Sequence, residues 1–333
     1  MMPGIKVRHI LLCCLLVAVQ VFAASVFYGC EQQQKKKRDP VVGIINPGAG
    51  YEEVVRGFKA GMEKHGYVEG RNITYLYDGP LKNLNDADAR IQAMLAGKVD
   101  LIYSLTTPET RKVKAALAGT NVPAVFGPVH DPVSSGLVSS LANPGGQLTG
   151  IKVRGSTPKA LDWLRTIVPD IKRIYIPFHI TDDAACQTID DLRETAAKFN
   201  IELVTEKVTN VTELEAALTN IPPRTDAVWM TCSQLLFSNV DKIVKASLAS
   251  RIPTASSTHS PYRNGILVSY GENDFHLGED VSRLADKLLK GASPAQMPVE
   301  TAEFFLGINL RTARALGIEV PPEVIRQADF LVR

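Results

Sequence analysis

The chain has 333 residues, 45% of them hydrophobic and 22% charged, with a formal net charge of +2. Those proportions describe an ordinary globular protein long enough for two domains, at roughly 100–200 residues each. Four of the positive charges sit together at Lys35–Arg38, so the remainder is near neutral and lacks the basic footprint of a nucleic-acid binder.

The first segment reads as an export signal rather than as part of a fold. Lys6, Arg8 and His9 precede an apolar run from Ile10 to Phe27 that contains Gln20, and Gly29-Cys30 closes it before the polar stretch Glu31–Asp39. The Gly-Cys ending resembles a bacterial lipobox, which would make Cys30 a lipidated first residue of the mature chain, although Phe27 and Tyr28 stand where a Leu and a small residue are usual. Ordinary cleavage near Ala23-Ala24-Ser25 and an uncleaved membrane anchor are the other readings, since the run is about long enough to span a bilayer. All three place the rest outside the cytoplasm. Residues 31–40 then serve as a solvated tether. Beyond Cys30 only Cys186 and Cys232 remain, too few for a disulfide framework. No CxxC, HExxH or paired-His spacing occurs, so no metal and no cofactor is expected.

From Val41 short apolar runs alternate with amphipathic stretches. Val41–Ile45 predicts a strand and Tyr51–His65 a helix with Val54, Phe58 and Met62 on one stripe, stopped by Gly66. Strands follow at Ile73–Tyr77 and Val99–Tyr103, and helices at Ala87–Ala96 and Glu109–Ala118. Residues 121–150 add a strand (Val122–Phe126), a loop closed by Asp131-Pro132, a small-residue helix (Val133–Leu141), a turn at Asn143–Gly146 and a strand from Leu148. The alternation then restarts. Helices are predicted at Pro158–Val168, Asp182–Phe199, Val211–Ile221 and Leu235–Ser250. Strands are predicted at Ile171–Ile176, Ile201–Glu206, Ala227–Thr231, Ile252–Ala255 and Gly265–Tyr270. A helix over Phe275–Leu289 and a strand over Val299–Ile308 exceed what a second domain needs, so the chain is expected to cross back there. Strands alternating with helices imply parallel sheets covered on both faces, in two α/β domains.

Several stretches together resemble a known family, the extracytoplasmic substrate-binding proteins of ABC transporters, in the group with members that bind aromatic amino acids. They are Gly66-Tyr-Val-Glu-Gly-Arg-Asn-Ile73, Val122–Gly150 with its His-Asp-Pro-Val and Asn-Pro-Gly-Gly, Gly265-Ile-Leu-Val-Ser-Tyr-Gly271, Leu289-Lys-Gly-Ala-Ser-Pro294 and Asn309-Leu-Arg-Thr-Ala-Arg-Ala-Leu-Gly-Ile318. The resemblance implies a type I periplasmic-binding-protein-like fold, two doubly wound parallel-sheet lobes joined by a three-strand hinge. Lobe 1 would hold residues 41–148 and about 274–298, and lobe 2 residues 149–273 and about 299–333. It also implies a small-molecule ligand, closure on it, an ABC permease with its ATPase as partners, and a monomer. A ligand-sensing module reporting to a membrane receptor would use the same closure.

Ligands in open α/β folds sit beyond the carboxyl ends of the strands. Thr106 and Thr107, before Pro108 and Glu109, form a helix start whose amide groups could receive a ligand carboxylate, or simply a self-contained cap. Asp131 could cap the following segment or pair with a ligand ammonium. Tyr51 could stack on a flat ligand. At Thr231-Cys232-Ser233 the resembling amino-acid binders usually carry Thr-Asp-Asn, so Cys232 and Ser233 would line the site without the expected carboxylate. Gly145-Gly146 lacks the Lys-Ser/Thr of a phosphate loop and is read as a turn. His65, His130, His179, His259 and His276 show no triad spacing to a nucleophile, so no enzyme is expected.

Overall fold

Two sheets organise residues 40–333, which form one compact unit of the computed structural model. The model describes residues 38–258 and 260–333. The expected signal, Cys30, residues 31–37 of the tether and His259 lie outside the described residues. No helix among the described residues is long and apolar enough to cross a membrane.

The chain first lays down β1 (Val41–Ile45), α1 (Glu52–Lys64), β2 (Thr74–Leu76), α2 (Asp86–Ala96), β3 (Leu101–Ser104), α3 (Thr107–Ala116), β4 (Ala124–Val129) and β5 (Leu148–Lys152). These strands pair in parallel in the order β5-β4-β3-β1-β2. Alternate residues feed opposite faces: Val42, Ile44 and Tyr103 pack under α1, whereas Ile45, Ile102 and Phe126 pack on the other side with Ile91 and Val113. On α1 the stripe Val54, Phe58 and Met62 is fully buried, and Gly66 ends the segment at φ 91°, a conformation that glycine adopts without strain.

The second run is α4 (Thr157–Ile167), β6 (Arg173–His179), α5 (Asp183–Ala197), β7 (Glu202–Val208), α6 (Val211–Thr219), β8 (Ala227–Met230), α7 (Gln234–Phe237), α8 (Val240–Ser250), β9 (Thr254–Ser256) and β10 (Val268–Glu272). Then come α9 (Asp274–Leu289), β11 (Glu300–Thr301), β12 (Phe304–Asn309), α10 (Leu310–Leu316), α11 (Pro322–Gln327) and β13 (Phe330–Val332). The second sheet runs β13-β12-β10-β9-β8-β6-β7, parallel throughout except at β10–β12.

The chain passes between the two lobes three times: from β5 to α4, from β10 to α9, and from β11 to β12. Helix α9 returns to the first lobe and packs against α1, where Gly57, Gly61 and Gly278 let the backbones meet. A Cβ on Gly278 would lie 2.1 Å from the Val54 carbonyl oxygen.

Besides shifts of a few residues at strand ends, the structure departs from the sequence-based expectations at four places. Residues 133–141 form turns, not a helix, because Ser134, Ser135, Gly136, Ser139 and Ser140 favour local turn bonds, and Gly136 takes φ 69°. Strand β5 belongs to the first sheet through its pairing with β4, so the expected lobe boundary at 148/149 cuts a strand whose partners hold it on the other side. The expected strand Val299–Ile308 is divided, with β11 beside β5 in one sheet and β12 beside β10 in the other. The expected helix Leu235–Ser250 breaks at Ser238-Asn239 into α7 and α8.

Candidate functional site

The carboxyl ends of β1, β3, β4, β6, β8, β9 and β10 face one another across the gap between the lobes and enclose a cavity of about 650 Å³. From the first lobe come Tyr51, Thr106, Thr107, Glu109, Pro128 and His130, and from the second His179, Asp182, Cys232, Ser233, Gln234 and Phe237. Glu272 and Asp274 stand at the second passage between the lobes and line it too.

The loop after β1 is pinned from below. Buried Asn46 donates to Glu52 Oε1 at 3.2 Å and to the Tyr77 hydroxyl at 2.8 Å, and its own Oδ1 accepts from the Gly48 amide at 3.0 Å. That holds the single 3₁₀ turn Ala49–Tyr51, which presents Tyr51 to the cavity. Burial, then the nearby Cys232, Asp182, Asp274 and Glu109, push the Tyr51 phenol well above its ordinary range, so it stays neutral. Below β3, the Tyr103 hydroxyl donates to the Gly127 carbonyl at 2.8 Å and fixes the wall that carries Pro128.

At the start of α3 the Thr106 side chain caps no helix amide. The Thr106 hydroxyl donates to the Glu109 carboxylate, and the Thr106 amide donates to the Pro128 carbonyl at 3.0 Å. Glu109 is 4% exposed, and burial raises its pKa against the opposing pull of Thr106 and of its own amide. Across the cleft Asp182 caps α5, accepting from the Ala184 and Ala185 amides at 3.0 and 3.4 Å. Burial raises its pKa as well.

Asp131 is the expected residue that the cavity does not gather in. Its Oδ1 accepts from the Val133 and Ser134 amides at 3.2 and 3.1 Å, and its Oδ2 pairs with Arg154 Nη1 at 2.5 Å. Burial would raise its pKa, but the Ser134 amide and Arg154 overcome that and hold it below the usual carboxylate range. Arg154 also holds Asp191 on α5 at 2.6 Å, so one guanidinium ties a first-lobe loop to a second-lobe helix. Ligand contact by Asp131 would require breaking that pairing.

The residues missed at the sequence level are Asp182, Glu272 and Asp274. Glu272 ends β10 at 7% exposure, and its Oε2 has no hydrogen-bond partner within the protein. Burial and then the charge of Asp274 push it up to about 8, and Asp274 is itself pushed up to about 6 by burial, against Arg263. Burial, Glu272, Asp182 and Asp274 in turn push up the Cys232 thiol, so the thiol remains protonated beside Glu272. Ser233 Oγ and Gln234 Oε1 are likewise buried without hydrogen-bond partners, and His130 Nε2 faces Asp191 Oδ2 at 3.9 Å. The 231–233 loop brings no carboxylate to the cavity, whereas the end of β10, two strands from β8, brings Glu272. The signal available in the sequence was the acidic pair Glu272…Asp274 just past a predicted strand.

Two side-chain contacts close the rim from lobe to lobe. Arg111 on α3 pairs with Asp183 on α5 at 2.5 Å, and Gln187 donates to Ser134 Oγ at 2.9 Å.

Comparison with known proteins agrees with this geometry. The family model described as ABC transporter substrate binding protein matches residues 41–332. A tyrosine-binding protein of Clostridioides difficile is 26% identical over 318 residues, covering 91% of this chain and 92% of the relative. Among solved structures, the ABC domain in complex with L-Trp from Streptococcus pneumonia superposes with TM-score 0.81 at 21% identity, over 88% of this chain and 100% of that one. The ligand-free, open structure of a substrate-binding protein with adhesive properties from Clostridium difficile gives TM-score 0.70 at 25% identity, over 87% and 98%. The fold is therefore the type I periplasmic-binding arrangement of two parallel-sheet α/β lobes.

Proposed function

Because this chain belongs to the ABC transporter substrate-binding protein family, we propose that it is the solute-binding component of an ABC importer, capturing an amino acid or a related small molecule between its lobes. The family is extracytoplasmic, and its members bind solutes rather than transform them. In this reading Cys30 carries the lipid anchor, and the permease with its ATPase receives the ligand from the closed form.

One observation carries the proposal. A cavity between the two lobes is lined by buried polar atoms without partners in the protein, Glu272 Oε2 and Ser233 Oγ foremost. Leaving such atoms unpaired costs about 1–3 kcal/mol each, which a ligand that bonds to them recovers. Tyr51 and Phe237 offer flat apolar faces for a ring, and the acids near Cys232 offer partners for an ammonium. The side-chain contacts across the rim support a closed arrangement. Hinge closure would follow from contacts that both lobes make only when closed.

Titration calorimetry of the intact chain with tyrosine and with tryptophan tests the proposal, followed by chemical recovery of the ligand. The proposal expects saturable binding near one ligand per chain and recovery unchanged. Turnover of the ligand, or no binding by any small amine or amino acid, would contradict it.

A further inference from the structure

The charge on the cavity wall is unbalanced. Five carboxylates line it, Glu109, Asp182, Asp183, Glu272 and Asp274, against two strong bases, Lys82 and Arg111. Arg111 is already committed to Asp183. Among the described residues no three of these acids and their neighbours come together as metal ligands, so the excess is not explained by a bound cation of that kind.

A second observation points to an organic ligand. Glu272 is nine-tenths buried, lines the cavity and has an oxygen with no partner in the protein. Ser233, 2% exposed, presents an unpartnered hydroxyl to the same space.

The cavity also offers a carboxylate group little. Helices that begin at its wall carry acids in their first turns, Glu52 and Glu53 on α1, Glu109 on α3, Asp183 on α5 and Asp274 on α9. Glu109 takes the Thr106 hydroxyl at the start of α3, the Thr106 amide is bonded to Pro128, and Pro108 has no amide hydrogen. Asp182 occupies the first amides of α5. A ligand carboxylate would meet like charge at the places where the helix dipoles would otherwise attract it.

Resting on the reading that this cavity captures an amino-acid-sized molecule, we infer that its preferred ligand is an organic cation, an amine with no free carboxylate, whose ammonium sits among Glu272, Asp274 and Asp182 while its ring lies against Tyr51 and Phe237. Arrival of the ammonium favours the ionised carboxylates, so protons leave as the ligand enters and affinity rises with pH until the carboxylates are fully ionised.

The test is calorimetry of the intact chain at about pH 7.5, above the ordinary carboxylate range, in two buffers of different ionisation enthalpy. The probes are tryptamine with tryptophan, and tyramine with tyrosine. The inference expects each amine to bind at least about tenfold more tightly than its amino acid, with proton release on binding. It also expects Glu272→Gln to lose most of the amine's advantage while the ligand-free chain melts no lower than the wild type at that pH, and Asp274→Asn is the second variant should that one fail to fold. If the amino acids bind as tightly as the amines or more so, the inference is overturned and the capture reading stands. If none of the four binds, both fall.

Discussion

At Glu272 a carboxyl group is buried at the end of a strand with Asp274 beside it, and the consequence is a pH dependence with a definite sign. Its pKa rises from an ordinary 4.5 to about 8, and that of Asp274 from 3.8 to about 6. The folded form therefore holds these protons more tightly than the unfolded chain does. The stability they confer is complete below the ordinary values and is lost as pH rises through about 6 and then about 8. Melting temperatures of the ligand-free chain should fall across that window, and Glu272→Gln should flatten the upper part. A wild-type profile with no fall there would contradict the burial argument. At Tyr51, Ala should weaken an aromatic ligand about tenfold, the order expected when a ring contact and its burial are lost; calorimetry reads it. That Tyr51, Thr106, Thr107, Cys232 and Ser233 line the cavity was legible because loops after parallel strands open at the carboxyl end of a sheet. Glu272 was missed although its acidic pair with Asp274 was visible, because β10 was expected to stop at Tyr270, and a two-residue shift of a strand end decides which side chain reaches the cleft. Asp131 was read as a cap with a second use, and the missing fact was Arg154, which approaches it only through the fold.

Among the elements, α1 and α9 are joined most closely, through glycines that allow backbone contact. Gly278→Val places atoms against the Val54 carbonyl and the Phe58 amide, neither of which can swing away as a side chain would. The expected loss is about 3 kcal/mol of stability, at the upper end of ordinary overpacking, read from urea denaturation. The lobe-to-lobe contacts should differ in weight. The Arg111–Asp183 pair is about half exposed on both sides, and such pairs contribute about 1 kcal/mol or less, so Arg111→Ala should change ligand affinity less than about fivefold. Arg154→Met leaves Asp131 and Asp191 part-buried without their cation, so its effect on affinity should be larger, about tenfold. Element identity was legible wherever the apolar period was long, as along α1 and α9. It failed at residues 133–141, where serines and a left-handed glycine bond locally, and at residues 299–308, where one extended run is shared by two sheets.

For the whole molecule the alternation of strands and helices was enough to anticipate two α/β lobes. The three passages between them could not be read from local pattern, since each is a matter of which sheet a strand joins. Moving a two-lobed protein from mostly open to mostly closed takes about 5.5 kcal/mol of differential affinity for a hundredfold reversal in each direction. The exposed rim pair cannot supply that alone, so contacts made by ligand to both lobes must. Small-angle X-ray scattering of the intact chain, with and without saturating tryptophan or tryptamine, tests this most directly. Two-lobed capture predicts that a ligand which gives a calorimetric signal also lowers the radius of gyration, with intermediate amounts fitting a mixture of the two end states. Saturable binding at the cleft with no change in the scattering curve would contradict closure as the means of capture.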